Sequence, residues 1–159
     1  MPSTLDIEAS GFGRQSYPIE IGFVRDDGHS WCTLIRPEPD WRHWDPDAAR
    51  LHGIRRETLE RHGRPVRLVA NTLNEALAGQ TVYCDGWAHD YPWLGVLFDA
   101  AGVNPAFRLE SAAALLADDA LGRLDAARRL ARRQLGGTRH RASVDARVLR
   151  EALRTLNVA

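Results

Sequence analysis

The sequence LDIEASGF at residues 5–12 decides the fold, because its first residues alternate between polar and apolar as they do in a β-strand. In a strand, successive side chains point to opposite faces, so the carboxylates of Asp6 and Glu8 share one face. Two like charges side by side on a strand repel each other, and a divalent cation bound between them would remove that repulsion. The pattern therefore has two interpretations: an edge strand with two solvated acids, or one side of a metal site.

Length and composition indicate an ordinary globular chain. Its 159 residues are enough for one domain with a buried core, and the shares of charged (26%) and hydrophobic (44%) residues are typical of such domains. No apolar run approaches the length needed to cross a membrane, and the N-terminus lacks the regions of a signal peptide. Cys32 and Cys84 lie in apolar contexts without a CxxC spacing, which predicts reduced thiols. We therefore expect a single domain over residues 1–159, located in the cytoplasm and not associated with a membrane.

Charge is distributed unevenly along the chain, although the formal net charge is zero. Residues 119–159 hold ten arginines and four acids, whereas residues 1–118 hold eleven arginines and seventeen acids. An acidic part with a metal centre and a basic part able to meet phosphate would suit a protein that acts on nucleic acid. Helix surfaces are also commonly charged, so composition leaves both interpretations open.

Local patterns predict alternating strands and helices. Apolar or alternating runs bounded by turn residues predict strands at residues 3–8, 18–25, 30–36, 81–84 and 107–110. Apolar residues at helical spacing predict helices at residues 46–52, 55–62, 66–78, 111–116 and 119–135, one opened by Asp90, and a last one that ends near Leu156.

Four acids and one histidine follow one another in a characteristic order. Asp6 and Glu8 lie on the first strand, and Asp90 opens a helix in the middle of the chain. His140 precedes Asp145 by five positions. In this order and spacing, most of the chain resembles the DnaQ-like 3′→5′ exonucleases of the DEDD superfamily, in the His-containing DEDDh subclass of RNase T-like and proofreading exonucleases. The resemblance implies an α/β fold of the ribonuclease H-like type, with a central mixed five-stranded β-sheet flanked by helices.

The resemblance also implies an activity. A metal-dependent exonuclease would hydrolyse single-stranded RNA or DNA from a free 3′ end and release nucleoside 5′-monophosphates. The acids expected to hold two divalent cations, Mg²⁺ or Mn²⁺, are Asp6, Glu8, Asp90 and Asp145. His140 would be the general base, since imidazole titrates near neutral pH.

Further residues are candidate substrate contacts through the same resemblance. Ala9, Gly11 and Phe12 follow the acidic strand. His52 and Ile54 match the His-Gly-Ile turn that lies near the terminal nucleotide in the family. An ordinary helix end, with a polar histidine and a core isoleucine, is an equally good interpretation of that turn.

The clearest departure from the family pattern is Asp85-Gly86, where a His-Asn pair usually stands. It leaves open whether substrate is contacted at this position. Asp85 is a rival to Asp90 for the metal site, but Asp90 is preferred because it opens a helix. Trp87, between the two acids, is a candidate for stacking on a base, which contributes on the order of 1–3 kcal/mol.

Two further groups of charged residues belong to the pattern. Glu20 on the second strand matches a glutamate that is frequent in the family, and we expect it to support the site rather than to bind metal. The helix at residues 119–135 exposes Arg128, Arg129, Arg132 and Arg133. That face is either solvated or binds phosphate, or it contributes to a homodimer, since several relatives are dimers.

Two other functions are compatible with the sequence. One is a nucleic-acid-binding module that has kept the fold and lost catalysis. The other is a phosphoesterase of very short oligonucleotides. The choice between RNA and DNA depends on contacts to the 2′-hydroxyl, and no residue in the sequence reveals one.

Overall fold

The computed structural model describes residues 1–158 and contains one mixed five-stranded β-sheet covered by helices. The strands are β1 (Ser3–Ala9), β2 (Pro18–Val24), β3 (Ser30–Leu34), β4 (Thr81–Cys84) and β5 (Arg108–Ser111). The helices are α1 (Pro46–His52), α2 (Arg56–His62), α3 (Val66–Leu77), α4 (Trp87–Ala101), α5 (Asp118–Leu135) and α6 (Ala142–Thr155). The predicted α/β fold with a mixed five-stranded sheet is thus confirmed.

The acidic strand β1 lies in the middle of the sheet, whose strand order is β3-β2-β1-β4-β5. It pairs antiparallel with β2 and parallel with β4, while β3 and β5 complete the two edges. The interpretation of residues 5–12 as an edge strand with solvated acids is therefore wrong, because both sides of β1 are paired.

The two faces of the sheet pack against different helices. The apolar residues of β1 and β2 form the main core with α3 and α4. The opposite face carries Asp6 and Glu8 and lies against α6, where the Thr4 hydroxyl donates to the carbonyl oxygen of Ala146 at 2.8 Å. A second apolar cluster joins α5 to α6 and so holds α5 on the acidic side of the sheet.

A glycine lets α6 begin close to the sheet. Gly22 pairs with Asp6 across the β1–β2 ladder and so faces α6. A Cβ atom at this position would lie 3.0 Å from the backbone of Ala142 and Ser143. Any side chain would push the start of α6 away from the sheet, so Gly22 sets the distance between β1 and the residues that precede α6.

Two predicted helices differ from the structure by more than one residue or in helix type. Helix α4 begins at Trp87, whose indole N–H donates to the carbonyl oxygen of Leu109 at 3.1 Å and ties the helix start to β5. Asp90 therefore lies in the first turn rather than at the helix start. The α-helix predicted for residues 111–116 is a 3₁₀ turn at Ala112–Leu115, capped by the hydroxyl of Ser111.

None of the helices within residues 1–158 is both long enough and apolar enough to span a bilayer.

Candidate active site

Three elements bring the five predicted catalytic residues to one side of the sheet. Asp6 and Glu8 lie on β1, and Asp90 lies in the first turn of α4. His140 directly precedes the start of α6, and Asp145 lies in the first turn of that helix. One ligand atom from each of Glu8, His140 and Asp145 lies within 4.8 Å of the others, an arrangement that could hold a metal ion.

Three of the carboxyl groups lie where the protein disfavours their ionised form. Burial raises the pKa of Asp6 well above its usual range, and the nearby charges of Asp90 and Glu8 raise it further. Burial likewise raises the pKa of Glu8 to about 8 and that of Asp90 to about 8. The Oδ2 atom of Asp6 is buried and has no hydrogen-bond partner among the described residues.

This donor set fits a hard divalent cation. Magnesium and manganese ions prefer carboxylate oxygens, and a bound cation favours the ionised form of the acids around it. Without its cation, such a site has acids with raised pKa values and carboxyl oxygens that lack a partner. Glu8 and Asp90 have raised pKa values, and one oxygen of Asp6 lacks a partner.

Asp145 differs from the other acids because both of its oxygens have partners. Arg132 of α5 donates to Oδ1 at 2.8 Å, and the backbone N–H of His140 donates to Oδ2 at 3.1 Å. Both side chains of the ion pair are mostly buried. Asp145 thus connects the candidate metal site to α5 and also fixes the backbone of His140.

His140 has a strained backbone conformation. Its φ is +60°, in the left-handed region that residues other than glycine seldom adopt. Burial lowers the pKa of its imidazole, although the charge of Asp145 acts in the opposite direction. The histidine is therefore held beside the acids in a neutral form that can accept a proton at neutral pH.

Glu20 anchors the segment that carries His140. It is only 2% exposed, and its carboxylate receives two N–H groups of the Arg141 guanidinium, the closer at 2.7 Å. The backbone N–H of Ala142 donates to the same carboxylate at 2.7 Å. These contacts agree with a supporting role for Glu20, since both of its oxygens are already engaged.

A cavity of about 100 Å³ opens beside Glu8 and His140. Four predicted substrate contacts line it, namely Ala9, Gly11, Phe12 and His52. Trp93 of α4 completes one wall, 6.0 Å from the ring of Phe12. The sequence does not identify Trp93 as a contact, because its position on a helix gives no sign of which cavity it borders.

His52 presents a free N–H group to this region. Its Nδ1 accepts a hydrogen bond from the backbone N–H of Ile54 at 3.0 Å, which leaves the proton of the neutral ring on Nε2. Burial lowers the pKa of His52 and so favours that neutral form. The Nε2 atom is buried without a partner in the described chain, so its N–H is left without an acceptor among the protein's own described groups.

The other predicted substrate contacts lie elsewhere. Ile54 is buried in an apolar cluster with residues of β2 and α2. Trp87 stacks on Tyr91 at 4.8 Å and does not line the cavity. Asp85, the rival acid, forms an ion pair with Arg128 at 2.8 Å, and its charge still contributes to the raised pKa of Asp90.

Comparison with protein-family models finds no match for the sequence, and comparison with the curated proteins finds none either. Solved structures do match. Exonuclease I from E. coli, in complex with single-stranded DNA, has a TM-score of 0.65 and 14% identity over 98% of this chain and 41% of that chain. Exonuclease I from Methylocaldum szegediense has a TM-score of 0.71 and 16% identity over 96% of this chain and 40% of that chain.

A third structure matches over most of both chains. S. pombe Pop2p, in a form with bound Mg²⁺ and Mn²⁺, has a TM-score of 0.71 and 13% identity over 98% of this chain and 82% of that chain. The chain shares the fold of these three structures. The ribonuclease H-like architecture expected from the sequence is confirmed, while the chain spans about two fifths of the exonuclease I chains. At these identities the comparison concerns the fold, and the roles of individual residues rest on the geometry of this site.

Proposed function

We propose that this protein is a metal-dependent 3′→5′ exonuclease that hydrolyses single-stranded RNA or DNA to nucleoside 5′-monophosphates. The observation that carries the proposal is the arrangement around β1. Glu8 of β1 and Asp145 of α6 lie with His140 in a group that could hold a metal ion, and Glu8 and His140 border a cavity lined by predicted substrate contacts. The charge of Asp90 on α4 raises the pKa of Asp6 beside this group. Exonuclease I is known in complexes with single-stranded oligonucleotides, which supports the choice of a single-stranded substrate.

The acids would hold two divalent cations. The residues that would bind Mg²⁺ or Mn²⁺ are Asp6, Glu8, Asp90 and Asp145. When bound, such ions supply an activated water and neutralise charge on the phosphoryl oxygens. The bound Mg²⁺ and Mn²⁺ of Pop2p support the choice of metal for a chain of the same fold.

His140 is the proposed general base. Its lowered pKa keeps the imidazole neutral at physiological pH, so it can take a proton from the attacking water. Its proximity to Glu8 and Asp145 places that proton transfer at the candidate metal site. The anchoring of the following residues by Glu20 would keep the ring in position during turnover.

The cavity would receive the 3′-terminal nucleotide. The ring of Phe12 is 62% exposed and packs against His89 at 4.9 Å, so one of its faces is available to a base. The free Nε2–H of His52 would donate to an oxygen of the same nucleotide. These two contacts would hold the terminal nucleotide beside Glu8.

The proposal is tested with 5′-labelled single strands of RNA and DNA of equal sequence on a denaturing gel. Each is incubated with Mg²⁺, with Mn²⁺ or with EDTA, using the native protein, His140→Ala and the control His62→Ala on the exposed end of α2. We expect a metal-dependent ladder that shortens from the 3′ end, is lost in His140→Ala and persists in the control. Binding without hydrolysis in either metal would instead indicate a module that has lost catalysis. Cleavage confined to the shortest strands of a length series would indicate a phosphoesterase of very short oligonucleotides.

A further inference from the structure

A second, larger cavity of about 610 Å³ lies beside α5 and is lined almost entirely by arginine. We call it the arginine groove. Its lining residues are Asp125, Arg128, Arg129, Arg132, Arg133 and Arg139. The proposed catalytic mechanism uses none of these arginines.

The arginine groove is built on one stripe of α5. Four of its arginines occupy helix positions i, i+1, i+4 and i+5, and these positions lie on one face and span about 7.5 Å along the axis. The buried residues of α5, which pack against α6, are Ala120, Leu124, Ala127 and Ala131. The arginine stripe is therefore the part of the helix left facing solvent.

Two of the arginines are paired with acids, one of which is a proposed metal ligand. Arg132 donates to Asp145 at 2.8 Å, and Arg128 donates to Asp85 at 2.8 Å. The arginine groove thus borders Asp145. The small cavity is lined by Glu8 and His140, which lie within ligand distance of Asp145, so the two cavities border the same group of residues.

The other three arginines have no ion-pair partner within residues 1–158. They are Arg129, Arg133 and Arg139, and all three are exposed. Asp125 is the one acid among the lining residues, and it is already paired with Arg128 at 3.2 Å. The arginine groove therefore holds unneutralised positive charge, in a protein whose net charge is zero.

We propose that the arginine groove binds the sugar-phosphate backbone of a single strand on the 5′ side of the scissile bond. This inference rests on the proposed exonuclease function. A strand whose last nucleotide fills the small cavity and whose scissile phosphate lies at the acids would continue onto α5. Guanidinium groups form paired hydrogen bonds to phosphate oxygens, so the stripe and Arg139 would bind on the order of two to three phosphates. The protein would then favour strands of several nucleotides over dinucleotides.

The test compares two triple variants that lose equal charge. Arg129→Ala/Arg133→Ala/Arg139→Ala removes the three unpaired arginines of the groove. The control replaces Arg61, Arg64 and Arg67, which are exposed near α2 and α3, remote from α5, and also make no ion pair within residues 1–158. Alanine is a good helix former, so the exposed helical substitutions keep the fold. A third variant with lysine at the three groove positions keeps the charge.

Binding is measured by fluorescence anisotropy with a 5′-fluorescein-labelled 20-nucleotide strand, in an Asp6→Asn background that prevents cleavage. We expect the groove variant to bind at least about tenfold more weakly, because each lost phosphate contact removes counterion release. The slope of log Kd against log salt should fall by about 0.7 for each lost contact, as for single strands. The control should stay within twofold of the parent, and the lysine variant should lie between the two.

Three results would overturn the inference. The groove variant could bind the 20-nucleotide strand as tightly as the control does. Binding could also be weakened equally in the two variants. The groove variant could also change only the oligomeric state, which would make α5 a contact between copies of the chain. Binding in the inactive background does not depend on hydrolysis. Failure of the groove inference is therefore distinguishable from failure of the proposed function. In the active background, the ratio of kcat/KM for the 20-nucleotide strand to that for a dinucleotide should fall about tenfold in the groove variant.

Discussion

The guanidinium of Arg132 lies 2.8 Å from Oδ1 of Asp145, so an arginine of α5 occupies an oxygen that the proposed mechanism assigns to a metal ion. The second oxygen of Asp145 accepts the backbone N–H of His140 at 3.1 Å. Asp6 differs, because its Oδ2 is buried and has no partner in the described chain. The site thus contains one acid, Asp145, that is already paired with a cationic side chain, and one acid, Asp6, with an oxygen that has no partner.

This pairing predicts that Arg132→Ala binds Mn²⁺ more tightly than the native protein. Removing a competing cation worth up to about 1 kcal/mol should strengthen binding by about fivefold. Isothermal titration of Mn²⁺ measures the change. Arg133→Ala, which removes the same charge without touching Asp145, should have a smaller effect. Weaker binding by Arg132→Ala would mean that Arg132 positions Asp145 for the metal.

The raised pKa values predict that the metal-free protein loses stability as pH increases. Burial raises the pKa of Glu8 in the folded protein to about 8, whereas the unfolded chain releases this proton near the ordinary glutamate pKa of 4.5. The folded state therefore binds more protons between these values, so the free energy of unfolding falls as pH rises from about 4.5 to about 8. Melting temperatures in EDTA should be lower at pH 8 than at pH 6, and Mg²⁺ should stabilise the protein more at pH 8.

Glu8→Gln isolates this contribution from those of the histidines. It should flatten the dependence of melting temperature on pH in EDTA, while Glu57→Gln, at an exposed position of α2, should leave the dependence as it is. An unchanged slope in Glu8→Gln would contradict the assignment of a raised pKa to this carboxyl.

Asp6→Asn should stabilise the metal-free protein and inactivate the enzyme. The substitution replaces a buried carboxyl whose pKa is raised well above its usual range and whose Oδ2 has no partner in the described chain. A gain of about 1 kcal/mol would raise the melting temperature by roughly 2–4 °C. Loss of a metal ligand should lower kcat/KM on the order of a hundredfold or more. Calorimetry at pH 8 in EDTA, followed by addition of Mg²⁺, separates the two effects, because the variant should not respond to the metal. Destabilisation in EDTA would show that the Asp6 carboxylate has a structural role of its own.

Glu20→Gln should weaken the attachment of α6 to the sheet. The substitution removes the charge that receives Arg141 and the backbone of Ala142, and hydrogen bonds to charged groups contribute about 1.5–3 kcal/mol. Urea unfolding should report a loss of this order, and kcat should fall because the segment carrying His140 loosens. Glu151→Gln, which breaks a pair with the exposed Arg154, should cost much less, because water screens an exposed ion pair. Equal losses in the two variants would contradict the anchoring role of Glu20.

The sequence predicts the parts of the site that depend on local pattern. Alternation at residues 5–12 is sufficient to place Asp6 and Glu8 on one face of a strand, because side-chain direction in a strand depends on position alone. The helical pattern after residue 141 similarly places Asp145 in the first turn of α6. These predictions need no knowledge of the tertiary structure.

Local sequence patterns do not predict contacts between distant segments. The pairs of Arg132 with Asp145 and of Arg128 with Asp85 depend on how α5 packs on α6 and the sheet, and a row of exposed arginines does not indicate which acids they meet. The local pattern likewise does not predict the start of α4 at Trp87, where the indole N–H contacts β5 across a long sequence separation. Asp90 nevertheless lies near Asp6, since a shift of one helical turn keeps it at the same end of α4.

We propose that water hydrolyses the terminal phosphodiester and that the 3′-oxygen departs. Identifying the product formed in H₂¹⁸O tests this reaction most directly. A single strand with a distinct base at its 3′ end is incubated with Mg²⁺, and the first product is analysed by mass spectrometry. The account predicts the 5′-monophosphate of that terminal nucleoside, carrying one ¹⁸O atom on phosphorus. A nucleoside 3′-monophosphate, a product from the 5′ end, or no mononucleotide at all would contradict it.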